Sequence, residues 1–557
     1  MSSAVLSLLN TDSIRRHTRS GYWRDETIYA IVRNHALRSP GNTAVRDRFQ
    51  HMTYGDLIAT ADRLADDLAR HGLRSGQRLL LWLPTRIESV LALLACSRNG
   101  YVWCPSPHRN HTVVEVVALI ERTQAAALIY QPGYNADVDR RSIESEIATL
   151  PSLRRVLRLD PPGGKPILEM LMDTGRDDDT TGSVAPNGDP NCISYLAFTS
   201  GSTGAPKGVM HSDNTLLATA RAIVKDWHID ATSVVYSMSP LSHNLGVGTL
   251  LTALLVGAEF VIHDLPKGNS LLDRLVETKA TYLVGVPTHA IDLLDELRSR
   301  GSSPLDRVKG FRISGAAVPG SVVAELLRFN VLPQSGYGMT ETCAHQYTLP
   351  TDDPKLIIET SGRACPGYEL RIWDVDNCDV EAKPGEVGEI GGRGASLMLG
   401  YFDDQLSTES AFNSHGWFMT GDLGWLDPNG YLRITGRKKE VIIRGGQNIN
   451  PARIEDLVMR HRAVERAAAI PIADARLGEK VCLAVMFREG QKVTADQILD
   501  HLDASGLARQ EMPEYFIECS EIPLMPNGKM RKLDIVKWIR TGRVVPSPVR
   551  RQSPKQA

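Results

Sequence analysis

The stretch YLAFTSGSTGAPKGVMHSDNT, residues 195–215, opens on apolar and aromatic residues and turns abruptly into hydroxyl and glycine residues. Its first part has the composition of a strand covered on both faces. Gly201, Gly204 and Gly208 free the backbone to turn, while Thr199, Ser200, Ser202 and Thr203 leave main-chain N–H groups unscreened. Such a loop wraps an anion with backbone donors, and Lys207 adds a positive charge. Phosphate binding and a flexible connector both fit these residues. The pattern is not a Walker A loop, which follows a Gly-Lys pair with Ser or Thr; here Pro206 precedes Lys207 and Gly208 follows it.

Around this stretch lie 557 residues, too many for one ordinary core, so a large region and a further domain are expected. A net charge of −2 provides no general attraction to nucleic acid or to a membrane surface. The charge is uneven: from Arg437 onward 22 Lys and Arg face 15 Asp and Glu, against 41 and 50 in the rest. A basic small domain behind an acidic large one suits an anionic ligand, and chance surface charge fits as well. The eight cysteines form no CxxC pair, which argues against a zinc ribbon or a disulfide scaffold. The N-terminal residues carry their charges after an apolar patch, the reverse of a secretory signal. The longest nearly apolar run, residues 245–258, is too short to cross a bilayer. A soluble, reduced, cytoplasmic protein without a membrane span is expected.

Much of 27–435 alternates helical and strand patterns. Leu57, Ala61, Leu64 and Leu68 make one apolar stripe on a helix ended by Gly72; RLLLWLP at 78–84 is a buried strand, and ESVLALLACSRNG a second helix. Such alternation predicts α/β layers with parallel strands. Residues 174–191, polar and rich in Gly and Pro, are expected as a surface loop whose three aspartates are solvated rather than metal-binding. Glycine-punctuated strands such as GEVGEIGGRG predict a small β subdomain from 365 onward. The expected domains are a large N-terminal one, 1–436, of layered β-sheets flanked by helices, and a small mobile α+β domain, 437–540. A disordered tail is expected at 541–557.

LAFTSGSTGAPKGVMHS closely resembles the signature phosphate loop of the adenylate-forming superfamily, which includes acyl- and aryl-CoA synthetases, adenylation domains and luciferases. The resemblance runs in order from about residue 22 to 540. It implies that the loop holds the β- and γ-phosphates of ATP. QSGYGMTET, 334–342, is similar to the adenine and magnesium motif, made here by Gly336, Tyr337, Gly338 and Met339. By that resemblance Tyr337 packs on the adenine, Thr340 bonds the α-phosphate and Glu341 coordinates Mg²⁺, a hard cation that prefers carboxylate oxygen. RISGAAVP, 312–319, resembles the wall motif, with Gly315, Ala316 and Ala317 between adenine and acyl group. Asp422 would accept from the ribose hydroxyls with support from Arg437, the hinge residue would be Lys439, and PLMPNGKMRKLD supplies the catalytic Lys529.

The resemblance implies two half-reactions. A carboxylate attacks the α-phosphate of ATP to give an acyl-adenylate and pyrophosphate, with Lys529 neutralising the charge that develops there. The small domain then rotates about its hinge and presents IIRGGQNINPARIE, 442–455, so that a thiol attacks the adenylate. Gly445 and Gly446 would let the pantetheine arm of CoA pass, and Arg444 would face its phosphates. Arg453 stands where the family usually has Glu, which puts the thiol-donor contacts in doubt. SPLSHNLGVG, 239–248, resembles the substrate motif: His243 would border acyl group and pantetheine, Asn244 would meet the ortho hydroxyl of a hydroxybenzoate, and Gly338 is expected among the substrate residues as well. An aromatic, alicyclic or medium-length acid is expected, with ATP, Mg²⁺ and CoA, in a monomer or homodimer that binds no nucleic acid. The alternatives are an aryl-acid adenylating enzyme that loads a separate carrier protein, and a catalytically silent homologue.

Overall fold

The opening stretch becomes the edge of a mainly parallel sheet. The computed structural model describes residues 6–107, 109, 111–138, 140–164, 167, 171, 185–199, 206–266, 268–315, 318–444, 447–474, 476–491, 493–524 and 530–549. Among them, six strands run in the order Arg155–Arg158, Ala127–Tyr130, Arg78–Trp82, Val102–Cys104, Ile193–Thr199 and Lys207–Ser212. The first five are parallel; the last two close an antiparallel hairpin with Thr199 opposite Lys207. The neck of the expected phosphate loop is therefore fixed by ladder pairing on both sides.

A second sheet of nine described strands has Gly310–Ile313 near its centre, flanked by Tyr282–Gly285 and Pro333–Met339 in parallel register. Between the two sheets lie the helices Ile28–Arg38, Tyr54–Arg70, Ile87–Asn99, Asp213–Asp226 and Asn244–Val256, which share one apolar core with Leu79 and Trp103 of one sheet and Val235 and Phe260 of the other. The predicted stripe Leu57, Ala61, Leu64 and Leu68 is fully buried in it. Ile87–Asn99 is buried on every face, which explains its nearly unbroken apolar sequence, and it ends where Gly100 takes a left-handed φ of 69°. The glycine-rich strands form a separate four-stranded antiparallel sheet, Tyr368–Trp373, Gly388–Gly394, Phe418–Leu426 and Leu432–Arg437.

From Ile442 onward the chain has its own mixed sheet and its own core around Ile442, Ile454, Val481, Leu483 and Ile498. The molecule is thus α/β, with a large N-terminal and a small C-terminal domain. The two meet where Arg488 pairs with Asp295 at 3.1 Å and where Met459 packs on the apolar cluster around Leu294 and Leu297. Part of the stretch expected as a disordered tail is ordered instead: Ser547–Pro548 pairs with Tyr515–Glu518, and the Val549 N–H donates to the Glu514 carbonyl. Backbone pairing at a sheet edge needs no particular side chain, so composition alone did not reveal it. The aspartates expected in a surface loop, 177–179, lie outside the described residues. All eight cysteines are unpaired thiols, and six are buried. No helix among the described residues is long and apolar enough to cross a membrane.

Candidate active site

Ser212 ends the hairpin and caps the helix Asp213–Asp226. Its hydroxyl accepts from the Thr215 N–H, and Thr215 Oγ1 accepts from the Ser212 N–H. Asp213 behind it is buried and accepts from the Ile28 N–H, Ser97 and Ser194, which ties the N-terminal segment to the hairpin. His211 faces the other way. Its Nε2 lies 2.8 Å from the carbonyl of Thr340, and since a carbonyl can only accept, Nε2 carries the proton. Nδ1, 3.1 Å from Thr215 Oγ1, is then the acceptor. Burial holds this ring neutral, with its pKa pushed down to about 4. One neutral histidine thus joins the hairpin of Lys207 to the motif of Thr340 and Glu341.

Lys207 Nζ lies 4.7 Å from the centre of the Tyr401 ring, and the Tyr401 hydroxyl donates to Glu341 Oε1 at 3.0 Å. Glu341 is buried, and desolvation raises its pKa; the Tyr401 hydrogen bond and the charges of Arg437 and Lys207 oppose that rise. Tyr337 donates to Asp422 Oδ2 at 2.8 Å while Arg437 Nε donates to Asp422 Oδ1 at 2.7 Å. Asp422 and Arg437 are cross-strand neighbours, so the pair is set by sheet register. Each carboxylate oxygen keeps lone-pair capacity for a further donor. Next to this cluster Lys438 pairs with Glu389 at 2.9 Å, one residue before the expected hinge, Lys439.

Thr199 pairs with Lys207, and Gly336, Tyr337, Gly338 and Met339 share one strand. Gly338 has no room for a side chain, since a Cβ would lie 2.0 Å from the Cys343 carbonyl oxygen. Gly315 adopts φ 91° at the end of its strand. His243 precedes the helix Asn244–Val256, and Asn244 opens it. Asn244 lines a cavity with Leu216, Ile223, Val284, Arg312 and Cys343. Its empty space is about 420 Å³ with the open mouth included, most of it too narrow for anything wider than a water. Residues 200–204, Ala316, Ala317, Gly445, Gly446 and Lys529 lie outside the described residues.

On the expected thiol side, Arg444 pairs with Glu514 at 2.6 Å and Arg453 with Glu511 at 3.2 Å, both within the small domain. Tyr401 and His211 carried no signal in the sequence, because their partners lie 60 and 129 residues away.

Layered α/β sheets with a hydroxyl- and glycine-rich hairpin, a lysine, a buried carboxylate and an Asp–Arg–Tyr cluster define a nucleotide-handling protein. A family model described as AMP-binding enzyme matches residues 32–402, and one described as AMP-binding enzyme C-terminal domain matches 453–529. The chain belongs to the AMP-binding enzyme family. It is 31% identical to the salicyl-AMP ligase / salicyl-S-ArCP synthetase of Mycobacterium tuberculosis, over 95% of this chain and 93% of that relative. It is 28% identical to the medium-chain fatty-acid–CoA ligase of Escherichia coli, over 94% and 92%. Among solved structures, ATP-bound MatB from Rhodopseudomonas palustris superposes with a TM-score of 0.80 at 26% identity, covering 92% of this chain and 99% of that one. The chain is an ATP-dependent, AMP-forming ligase that activates acids, of the adenylate-forming superfamily.

Proposed function

We propose that the protein activates an aromatic, alicyclic or medium-length carboxylic acid as its adenylate and passes the acyl group to CoA. One observation carries the reading: Tyr401 bridges Lys207 of the hairpin to the buried carboxylate of Glu341, with its ring under the one and its hydroxyl on the other, while His211 ties the same hairpin to Thr340. In this reading residues 199–204 and Lys207 hold the terminal phosphates of ATP. Thr340 bonds the α-phosphate, Asp422 and Arg437 hold the ribose, and Gly315–Ala317 with Gly336–Met339 frame the adenine. The acid enters at the cavity of Asn244, bordered by His243 and Gly338, and the side chains that narrow the cavity move aside to admit it. Its carboxylate, already an anion, attacks the α-phosphorus, and the bond to the pyrophosphate oxygen breaks. Lys529 holds charge at that centre.

Glu341 fits a Mg²⁺ ligand. It is a single buried carboxylate, with one oxygen oriented by Tyr401, and Mg²⁺ commonly takes one or two carboxylates and leaves its remaining positions to phosphates and water. The ion would supply positive charge to the departing pyrophosphate. Rotation about Lys439 then exchanges Lys529 for Gly445 and Gly446, the path of the thiol.

Names of relatives support both acceptors: a CoA ligase on one side, a synthetase for a carrier-bound product on the other. The test is pyrophosphate release across a panel of carboxylic acids, with and without CoA, together with direct detection of thioester. Acid-dependent pyrophosphate release and acyl-CoA are expected. Release with no thioester formed from CoA would transfer the second half-reaction to a carrier protein, and no release with any acid would refute the reading.

A further inference from the structure

Arg312 stands in the middle of the nine-stranded sheet, in Gly310–Ile313, with Val284 and Gln334 as its ladder neighbours. It is 3% exposed. Charged side chains are almost never buried so completely without a partner. Here no hydrogen bond or ion pair with a described residue engages the guanidinium, and its buried Nε and Nη2 lack any such acceptor. No carboxylate of a described residue pairs with it. The Tyr347 ring lies 5.8 Å below it, and the Tyr347 hydroxyl is committed to Asp226 at 2.8 Å. Gln334 is neutral, and its Oε1 already accepts from Tyr282. Gly336 leaves space beside the group, since a Cβ there would lie 3.4 Å from Nη2.

The same side chain lines the cavity of Asn244, whose lining residues include no carboxylate. Taking a lone cation out of water is costly, and the cost is offset only by an anion that reaches it. Adenylation consumes the charge of the reacting carboxylate, which becomes an acyl phosphate ester, so a counter-charge that stays on Arg312 through the reaction belongs to a second group. We propose that Arg312 is a specificity-determining anchor, and that the acid taken by this cavity carries a second carboxylate, which the guanidinium receives. The inference rests on the reading that this cavity holds the acid.

The test uses matched pairs of acids on the whole chain: hexanoate with adipate, octanoate with suberate, benzoate with isophthalate. Pyrophosphate release gives kcat/KM, and thermal unfolding without ATP reports binding independently of catalysis. The wild type is expected to favour the diacid of at least one pair by about tenfold or more. Arg312→Met should reverse that preference, moving the ratio by roughly 10²-fold, the scale of a lost charge-assisted bidentate contact. Arg312→Lys should keep the preference in weakened form, and it carries the test alone if the Met variant does not fold. A wild type that favours the monoacid of every pair overturns the proposal, as does an Arg312→Met ratio within about twofold of wild type. If no acid releases pyrophosphate but diacids raise the melting temperature of wild type and not of Arg312→Met, the anchor stands and the ligase reading falls. If diacids neither react nor raise the melting temperature, the anchor falls.

Discussion

Tyr401 touches both charges of the proposed nucleotide site, its ring beneath Lys207 and its hydroxyl on Glu341. Tyr401→Phe keeps the ring and removes only the hydrogen bond. One oxygen of a buried carboxylate then loses its donor, a change worth about 1–3 kcal/mol. Acid-dependent pyrophosphate release should fall roughly 5- to 150-fold. Burial already raises the pKa of Glu341 and the Tyr401 bond opposes this, so the variant pKa rises further. More of the group is then protonated at a given pH, and the variant's activity should recover as pH rises. A pH–rate profile that keeps its wild-type shape would show that the hydroxyl does not tune Glu341. Neither Tyr401 nor His211 stands out in the chain, although His211 belongs to the stretch most closely read. Lys207, Glu341 and Asp422 stand out because each lies inside a long string with a recognisable order. Arg312 is the first letter of one such string, RISGAAVP, and nothing about the letter says that its guanidinium has no partner.

At the level of one element, the helix Asn244–Val256 contains two glycines two positions apart that the sequence cannot tell apart. Gly246 packs against the preceding turn, and a Cβ there would lie 2.3 Å from the Pro240 carbonyl oxygen. Gly248 meets nothing within 4 Å, yet it lines the cavity of Asn244, the proposed acid site. Gly246→Ala should destabilise the protein by roughly 1–3 kcal/mol, because the clash is with backbone that cannot rotate away. Gly248→Ala should leave thermal stability unchanged or raise it, since alanine favours a helix by up to about 1 kcal/mol over glycine. It should, however, slow pyrophosphate release with the bulkiest acids. Equal melting temperatures for the two variants would contradict this packing. The run 245–258 was legible only as apolar and too short for a membrane; that it forms this helix, and which of its glycines is held by contact, depends on a loop folding back over it.

Across the molecule, the α/β layering was readable because strands buried on both faces appear as unbroken apolar runs and the helices between them as stripes. The strand order and the docking of the small domain through Arg488 and Asp295 were not, since both depend on contacts far apart in the chain. The proposed division of labour between domains has its own test. Lys529→Ala should abolish acid-dependent pyrophosphate release and still convert a supplied acyl-adenylate to thioester. Gly446→Trp should make the adenylate and fail to pass it on. Lys439→Pro should behave like Gly446→Trp, because proline fixes φ at the hinge. If folded Lys529→Ala loses both half-reactions equally, the alternation of domains is wrong for this protein.

A protein proposed to handle a free thiol carries eight of its own. Thiol–disulfide exchange needs an accessible thiolate. Burial pushes the Cys104, Cys343, Cys365 and Cys482 thiols up to about 12, and Cys96 and Cys519 are raised as well. Half-exposed Cys192 is held to about 11 by burial and by its contact with Asp189. An oxidised pantetheine disulfide therefore finds little nucleophilic sulfur among these seven, and the partly exposed Cys378 is the thiol left to meet it. The interior that packs the core also keeps most of the protein's own sulfur out of competition with its substrate.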